Sequence, residues 1–418
     1  MRAAPHTRIA ATAAIIAASV SCADARPGPV ASDPEAASFP TAIAEDLPTC
    51  TSDVGGAPLV EVVAEGLEAP WDLVFLPGGR ILVTERAGRI RVIENGVLAE
   101  EPWATLDVYA VAEAGLMGID IAPDFATTGH VFVAATFAEE PGGIVSRVRR
   151  RILRALPEGG FLADNRIVRF TESNGRGTAP RFLVEGIPGG QLHVGGALRM
   201  GPDGMLWMGT GETSDPELAR LIDIRSGKIL HMRLDGGLPD NQPFDGYAVY
   251  AAGFRNVQGL DWHPVTGTLL AIEHGPTGLT AEDRRIGHDE LNSVAPGVGY
   301  GWPDEAGRVE NPRYRPPLLQ WTGAVAPAGI AFWRGDPAWD GDLFVGTLRG
   351  RDLYRVHLAP EVLPTCTQPL FAGAYGRIRA VRMGPDGWLY FTTSNRDGRG
   401  APGPADDRLM RMRPAPSQ

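Results

Sequence analysis

The stretch Gly189–Glu212, GGQLHVGGALRMGPDGMLWMGTGE, places a histidine among glycines ahead of a short apolar run. A Gly-Pro-Asp-Gly turn and a second apolar run follow, ending in Thr210-Gly211-Glu212. Two short strands about a tight turn make a hairpin. His193 stands just before the first strand, where glycines leave room for something bulky to approach the backbone. Histidine changes charge near neutral pH, so His193 is a candidate general base. The same residue also reads as a hydrogen-bonded histidine at a sheet edge. Glu212, at the end of the second strand, can orient or charge-assist it, or be a solvated loop carboxylate.

Three further constellations could share a site with this hairpin. Gly253-Phe254-Arg255-Asn256 offers a guanidinium and an amide, a pair suited to an anionic or quinone-like oxygen or to a structural ion pair. Arg349, Arg377 and Arg379 lie at the ends of late strands, and residues two apart on a strand face the same side. Arg377 and Arg379 are therefore expected to point together at one anionic ligand. Glu273-His274-Gly275-Pro276, Asp289-Glu290-Leu291-Asn292 and Tyr300-Gly301-Trp302-Pro303 carry carboxylates and loop carbonyls at irregular spacing. Calcium accepts such sets, taking six to eight oxygens in flexible geometry; acidic loops are also often simply solvated. No Cys/His zinc spacing, G-x-S-x-G elbow, dinucleotide-binding G-x-G-x-x-G or P-loop occurs.

The elements that must position these residues are strands. The chain has 418 residues, with 53 glycines, 36 prolines and 44% hydrophobic residues, a composition that suits a turn-rich all-β fold. Trp71–Leu76, Arg80–Glu85 and Arg89–Glu94 form one complete strand-turn-strand-turn-strand unit. The theme recurs at Gly118–Ala122 with His130–Thr136, Ala197–Met200 with Met205–Gly209, and Leu260–His263 with Thr268–Glu273. Two last copies are Gly329–Trp333 with Asp342–Thr347 and Ile378–Met383 with Trp388–Thr393. Six units point to a six-bladed β-propeller of four-stranded antiparallel blades; a two-sheet sandwich seldom repeats one turn motif six times. Polar residues at the ends of the second strands would converge on one concave site. The five arginines of Arg147–Arg154 are assigned to an exposed blade strand.

The ends and the charge bound the setting. Arg2 and Arg8 precede an apolar run, Ile9–Val20, too short to span a bilayer and matching a secretory signal. Residues 1–22 are read as that signal, with Cys22 in a lipobox-like position or a plain cleavage site near Ala25. Residues 23–55, without periodicity at first, are read as a disordered tether, and 56–414 as the propeller. The protein is thus expected to be exported, periplasmic or tethered to a membrane through an N-terminal lipid. Cys50 and Cys366, both in Pro-Thr-Cys-Thr, then form a disulfide or stay as two thiols. A net charge of -11 argues against nucleic acid or an anionic membrane surface as partner.

Together these motifs resemble the soluble PQQ-dependent glucose and aldose sugar dehydrogenases, the glucose/sorbosone dehydrogenase family. The carrying stretches are APWDLVFLPGGRILVTERAGRIRVI, GLMGIDIAPDF, HVGGALRMGPDGMLWMGTGE, GFRNVQGLDW, EHGP…DELN…GYGWP and GRIRAVRMGPDGWLYF, in order from about Leu59 to Arg413. The resemblance implies a six-bladed propeller, PQQ and Ca2+ as cofactors, an aldose as substrate, and an artificial or periplasmic electron acceptor. It implies His193 as the base, Glu212 as its supporting carboxylate, and Arg255 and Asn256 at the quinone. Gly275 and Pro276 carbonyls would hold the cofactor's calcium; Arg377 and Arg379 would grip its carboxylates; Glu290 and the Tyr300 carbonyl would serve a second calcium. Glu113 stands where the glucose-oxidising branch has glutamine beside the cofactor, Arg349 replaces a lysine, and Thr322 and Ala324 fall where that branch covers the cofactor. The insertion Thr277–His288 would reshape the mouth. Two other classes stay open: a non-catalytic exported propeller that binds glycans or proteins, and a calcium-dependent lactonase-type hydrolase. A homodimer is compatible with the sequence.

Overall fold

The computed structural model describes residues 41–51, 57–138, 163–276, 287–335 and 337–415. They form six four-stranded antiparallel blades, with short helical turns only in the connections. Blade 1 comprises Pro70–Phe75, Ile81–Glu85, Arg89–Glu94 and Val97–Leu98, with Ala104–Thr105 also pairing to its third strand. Blade 2 comprises Leu116–Ile121, His130–Ala138, Ala163–Ser173 and Arg176–Gly189, and blade 3 Gly195–Met200, Leu206–Thr210, Lys228–Met232 and Val249–Ala252. Blade 4 comprises Val257–Trp262, Leu269–Glu273, Asp289–Val294 and Leu319–Trp321, and blade 5 Pro327–Phe332, Leu343–Thr347, Leu353–Leu358 and Pro364–Pro369. Blade 6 takes Ile378–Met383, Leu389–Thr393 and Leu409–Arg413, and Leu59–Ala64 closes it as the outermost strand. The ends of the propeller chain therefore share one sheet, which removes the open edge a ring would otherwise leave.

The burial pattern explains why the inner hairpins are so apolar. The second strands of blades 1, 3, 4, 5 and 6 are buried at every residue. Each is covered on both faces by neighbouring blades, so it reads as a continuous apolar run rather than an alternation. The first strands of successive blades touch around a closed ring. That crowding leaves no room for a side chain at some places: a Cβ on Gly118 would lie 2.5 Å from the Gly196 carbonyl, and one on Gly259 2.5 Å from the Ala328 carbonyl.

All six first strands carry a register irregularity near their starts, between Pro70/Asp72, Leu116/Ile119, Gly195/Leu198, Val257/Gly259, Pro327/Ile330 and Ile378/Val381. A bulge at that end re-aims side chains toward the axis. The repeat thus supplies six bent strand starts around one central cleft.

Residues 41–51 correct the expectation of a disordered tether over 23–55. Ala42–Ile43 pairs in parallel with Leu319–Gln320 as a fifth strand of blade 4, and Thr49 bridges Thr367 of blade 5. Cys50 and Cys366 are joined as a disulfide. The lack of periodicity in 41–51 reflects a strap that follows two blade edges for a few residues each, too briefly to build a pattern. The signal segment 1–22 with Cys22, the rest of the tether before Thr41, and Arg147–Arg154 lie outside the described residues, as do 277–286 of the mouth insertion.

Candidate active site

His193 sits on the connection between blades 2 and 3 with φ of 51°. Its carbonyl accepts the Thr213 amide at 3.0 Å, and a Cβ on Gly211 would lie 2.0 Å from that oxygen. The glycine after Thr210 is thus required by the close approach of the histidine's own backbone. The ring is held from both sides. Its Nδ1 is 2.7 Å from Glu212 Oε1, and its Nε2 is 3.0 Å from Arg255 Nη2.

Those two contacts fix the tautomer. A guanidinium only donates, so Nε2 must carry a lone pair, and Nδ1 carries the proton and donates to Glu212. His193 Nε2 is therefore unprotonated, its lone pair engaged by Arg255 in this structure, with a buried carboxylate on the other nitrogen to stabilise the ring once it takes up a proton.

Arg255 is itself locked. Nη1 donates to the Gly275 carbonyl at 2.6 Å and to the His274 carbonyl at 3.3 Å, and the guanidinium lies 5.4 Å from the Trp302 ring centroid. Its Nε is buried without a partner among the described residues. Asn256 is fully buried; its Oδ1 accepts the Gly195 amide and Gln258 Nε2, each at 3.0 Å. Gln258 Oε1 in turn accepts Arg379 Nη1 at 3.2 Å.

Glu113 reaches the same centre from the connection that precedes blade 2. Oε2 accepts the His193 amide at 2.9 Å and Asn256 Nδ2 at 3.5 Å, while Oε1 accepts Arg399 Nη1 at 2.9 Å. Burial alone would raise its pKa, but His193, His274, Arg399 and the His193 amide outweigh this and bring it to about 2. It is therefore an anion that grips the histidine's backbone. Trp71, Arg86, Glu113, Arg379, Asp397 and Arg399 line the narrow cleft beside it.

Arg377 and Arg379 both reach this region, but not as two same-side residues of one regular strand. Arg377 precedes the strand Ile378–Met383, whose register breaks between Ile378 and Val381. Arg377 pairs with Asp397 at 2.7 Å and donates to the Leu348 carbonyl. Among the described residues Arg379 has only the neutral Gln258 oxygen as hydrogen-bond partner, and it stacks 5.4 Å from the Trp71 centroid. Burial and Arg377 push its pKa down to about 10, with Asp397 and Glu113 opposing. It is a half-buried cation with no carboxylate in hydrogen-bond contact among the described residues. Arg349 is exposed, and its amide donates to the Val325 carbonyl.

The acidic constellation lies behind Arg255. Glu273 and Glu290 face each other directly across neighbouring strands, and Asn292 Nδ2 donates to both. Glu273 Oε2 also accepts the Arg255 amide at 2.6 Å, and Glu290 accepts the Gly307 amide. Burial raises Glu273 to about 7, and burial with the Glu273 charge raises Glu290 well above the usual range. Asn292 Oδ1 is buried beside them without a partner among the described residues. Tyr300 is buried, stacks on Phe254 at 4.5 Å, and donates its hydroxyl to the Ser293 carbonyl. The Pro276 carbonyl accepts the Gly287 amide, and Gly275 donates its amide to Asp289. Among the described residues no three His, Cys, Asp or Glu side chains converge as a metal cluster.

Sequence reasoning missed Gln258, Asp397 and Arg399, none of which stands in a motif of its own. It also gave no role to Lys228, yet this fully buried ammonium donates to the Leu218, Ala219 and Ser226 carbonyls and so holds the excursion that follows Glu212. A larger cavity of about 570 Å³ lies beside the cleft between Glu68, Asn395, Arg396 and Asp406. It contains neither the histidine nor Arg255, whereas Glu113 of the narrow cleft bonds the His193 amide directly.

This geometry meets close relatives. A Thermus thermophilus oxidoreductase named as a glucose dehydrogenase superposes with a TM-score of 0.74 at 40% identity, over 85% of this chain and 100% of that one. A PQQ-bound aldose sugar dehydrogenase from Streptomyces coelicolor superposes with a TM-score of 0.72 at 33% identity, covering 86% and 99%. The aldose sugar dehydrogenase YliI of Escherichia coli K12 is 28% identical over 361 residues, 81% of this chain and 91% of its own. Residues 67–409 match the family described as Glucose / Sorbosone dehydrogenase. The chain belongs to that family, and is an oxidoreductase built on its six-bladed propeller.

Proposed function

We propose that the protein is a PQQ- and calcium-dependent dehydrogenase that oxidises aldoses at the anomeric carbon to the lactone. The observation that carries this reading is the lone pair of His193 Nε2 held beside Arg255, with the cation Arg379 joined to the same centre through Gln258 and Asn256. PQQ, when bound, supplies a quinone that accepts two electrons as a hydride. A tricarboxylate suits this cleft because Arg379 has no carboxylate of its own among the described residues and Arg255 Nε is unsatisfied there. Arg255, Asn256, Arg377 and Arg379 would hold it, with Glu113 and Arg349 at its edge.

The residues of this chain then do the following. His193 Nε2, released from its hydrogen bond to Arg255, takes the proton of the anomeric hydroxyl as the hydride leaves the same carbon, so the two electrons and one proton balance to a lactone. Glu212 stabilises the imidazolium that forms. Arg255 would stabilise the negative charge that a hydride-accepting quinone oxygen gains. An external acceptor, a dye or a periplasmic carrier, takes the electrons afterwards.

Saturable PQQ binding by the apoprotein in the presence of Ca2+, with dye reduction by aldoses, is the expected result. Arg379→Ala should weaken PQQ binding by about 10–100-fold, the worth of a charge-assisted contact. A wild-type protein with no saturable PQQ binding at micromolar concentrations sinks the reading.

Calcium fits the acidic constellation because two facing buried carboxyls, with the orphaned Oδ1 of Asn292 two residues along the strand of Glu290, suit a hard cation. Glu290 and the Tyr300 carbonyl would be ligands there, and the Gly275 and Pro276 carbonyls at the cofactor. Ca2+ at about a hundred times its Kd should then stabilise the apoprotein by about 2.7 kcal/mol. In a thermal melt this is a rise of roughly 3–4 °C that a chelator reverses. Glu290→Gln should abolish the rise; an equal rise in that variant would remove Glu290 from the site.

A further inference from the structure

The strap that the sequence hides bears on the cleft. Its path is fixed at both ends. Ala42 and Ala44 amides donate to the Leu318 and Gln320 carbonyls at 3.0 and 2.9 Å. At the far end the Thr367 amide donates to the Pro48 carbonyl, the Cys50 amide donates to the Thr367 carbonyl, and the Cys50–Cys366 disulfide locks the crossing. Between these anchors Ala44 is buried in the core shared by blades 4 and 5, and Glu45 is presented outward.

Glu45 is exposed, yet its carboxylate is not idle. It accepts the Thr322 amide at 3.0 and 3.2 Å and the Gly323 amide at 3.2 Å. Thr322 and Gly323 open the turn that links blade 4 to blade 5. That turn is where several site residues are set. Val325 and Ala326 amides donate to Asp289 Oδ2 at 2.7 and 2.8 Å, and Asp289 Oδ1 accepts the Gly275 amide at 2.9 Å. The Val325 carbonyl accepts the Arg349 amide at 2.9 Å. The Pro327 carbonyl accepts His274 Nε2 at 2.7 Å. Packing leaves the turn little alternative: a Cβ on Gly287 would lie 1.9 Å from the Thr322 carbonyl.

The geometry points to Glu45 as a positioning residue for the cleft, delivered by the disulfide-locked strap. By pinning Thr322 and Gly323 it fixes the turn from which Gly275, through Asp289, and Arg349 are placed. This rests on the functional reading above for what Gly275 and Arg349 hold, but the positioning itself concerns this chain's backbone alone. An exposed carboxylate contributes little to global stability. Its effect should therefore be local, which separates positioning from a merely structural role.

Hydrogen exchange of the apoprotein reads the positioning directly. In Glu45→Ala, the non-proline amides of 322–327 and of 273–276 should exchange about tenfold faster, the equivalent of losing a charge-assisted pair. Amides of the 195–210 hairpin should be unchanged. Glu45→Gln, which keeps an acceptor oxygen, should restore most of the protection, and wild type with its disulfide reduced should behave like Glu45→Ala. With PQQ and Ca2+, Glu45→Ala should raise the PQQ Kd by about three- to tenfold while kcat at saturating PQQ stays within about twofold. Unchanged exchange at 322–327 in Glu45→Ala overturns the proposal, as does equal exchange in the Ala and Gln variants. Faster exchange there with an unaltered PQQ Kd also overturns it, because Glu45 would then only secure a blade edge. A wild type that binds no PQQ overturns the functional reading instead, and exchange at 273–276 then decides the positioning by itself.

Discussion

His193→Ala is expected to lower kcat/KM for aldoses by about 10²–10⁴-fold, the usual contribution of a positioned general base. The loss should fall in kcat, because the imidazole takes up charge only as the reaction proceeds. PQQ affinity should change far less, since the guanidinium of Arg255 keeps its contacts to the Gly275 and His274 carbonyls when the ring is gone. The substitution leaves Glu212 buried without its hydrogen-bond partner, so some stability will be lost as well; kcat must be read on protein shown to be folded. Glu212→Gln gives the sharper control. An amide can orient the ring but cannot stabilise an imidazolium, so a drop in kcat with retained PQQ binding identifies charge stabilisation as the carboxylate's role. Pre-steady-state reduction of bound PQQ by sugar, followed in the quinone absorbance, is the measurement. Reduction of undiminished rate in His193→Ala would remove His193 as the base.

The inner half of every blade could be read from the sequence because its signal is local. A strand enclosed by blades on both faces is an unbroken apolar run, and the turn that returns it is Gly-Pro-Asp-Gly or a near relative. The outer half could not be read so well. Its strands are short or part-exposed, as in Val97–Leu98 and Leu59–Ala64, and the closing strand belongs to the opposite end of the chain.

The site divides in the same way. His193, Glu212, Arg255 and Asn256 stand beside recognisable hairpins, and the structure brings them together. Gln258, Asp397 and Arg399 matter through partners far along the chain, such as the Arg399–Glu113 pair 286 residues apart, and no spacing rule reaches that distance. Arg377 and Arg379 show a rule misapplied. Strand alternation assumes a regular pleat, whereas a bulge at the start of that strand assigns the two arginines different partners.

The largest stability effect should come from a residue that no motif marked. Asp72, 1% exposed, lies on the first strand of blade 1. Its Oδ2 accepts Arg199 Nη1 of blade 3 at 2.7 Å, Arg382 Nη2 of blade 6 at 3.0 Å and the Ile119 amide of blade 2 at 3.3 Å. Arg382 continues to Asp120 and the Ile119 carbonyl, and Asp120 accepts the Met200 amide. One carboxylate thus ties the first strands of four blades around the axis. Asp72→Asn keeps the shape but leaves the buried Arg199 and the half-buried Arg382 short of charge, and breaking a buried pair in this way costs about 3–5 kcal/mol. For a chain of this size that is a fall of roughly 4–6 °C in Tm. Asp72→Asn combined with Arg382→Met should recover part of it, because the stranded cation is removed too. The pH dependence has a definite sign. Burial would raise the Asp72 pKa, but Arg199 and Arg382 outweigh it and hold it below the ordinary value. Its contribution is therefore fully present above the unfolded-state pKa of about 4 and is lost as pH falls through the lower folded value. The gap in urea midpoint between wild type and Asp72→Asn should accordingly be constant from neutral pH down to about 4 and close below it. A gap that widens on acidification would mean that Asp72 is not the anion at the centre of this network.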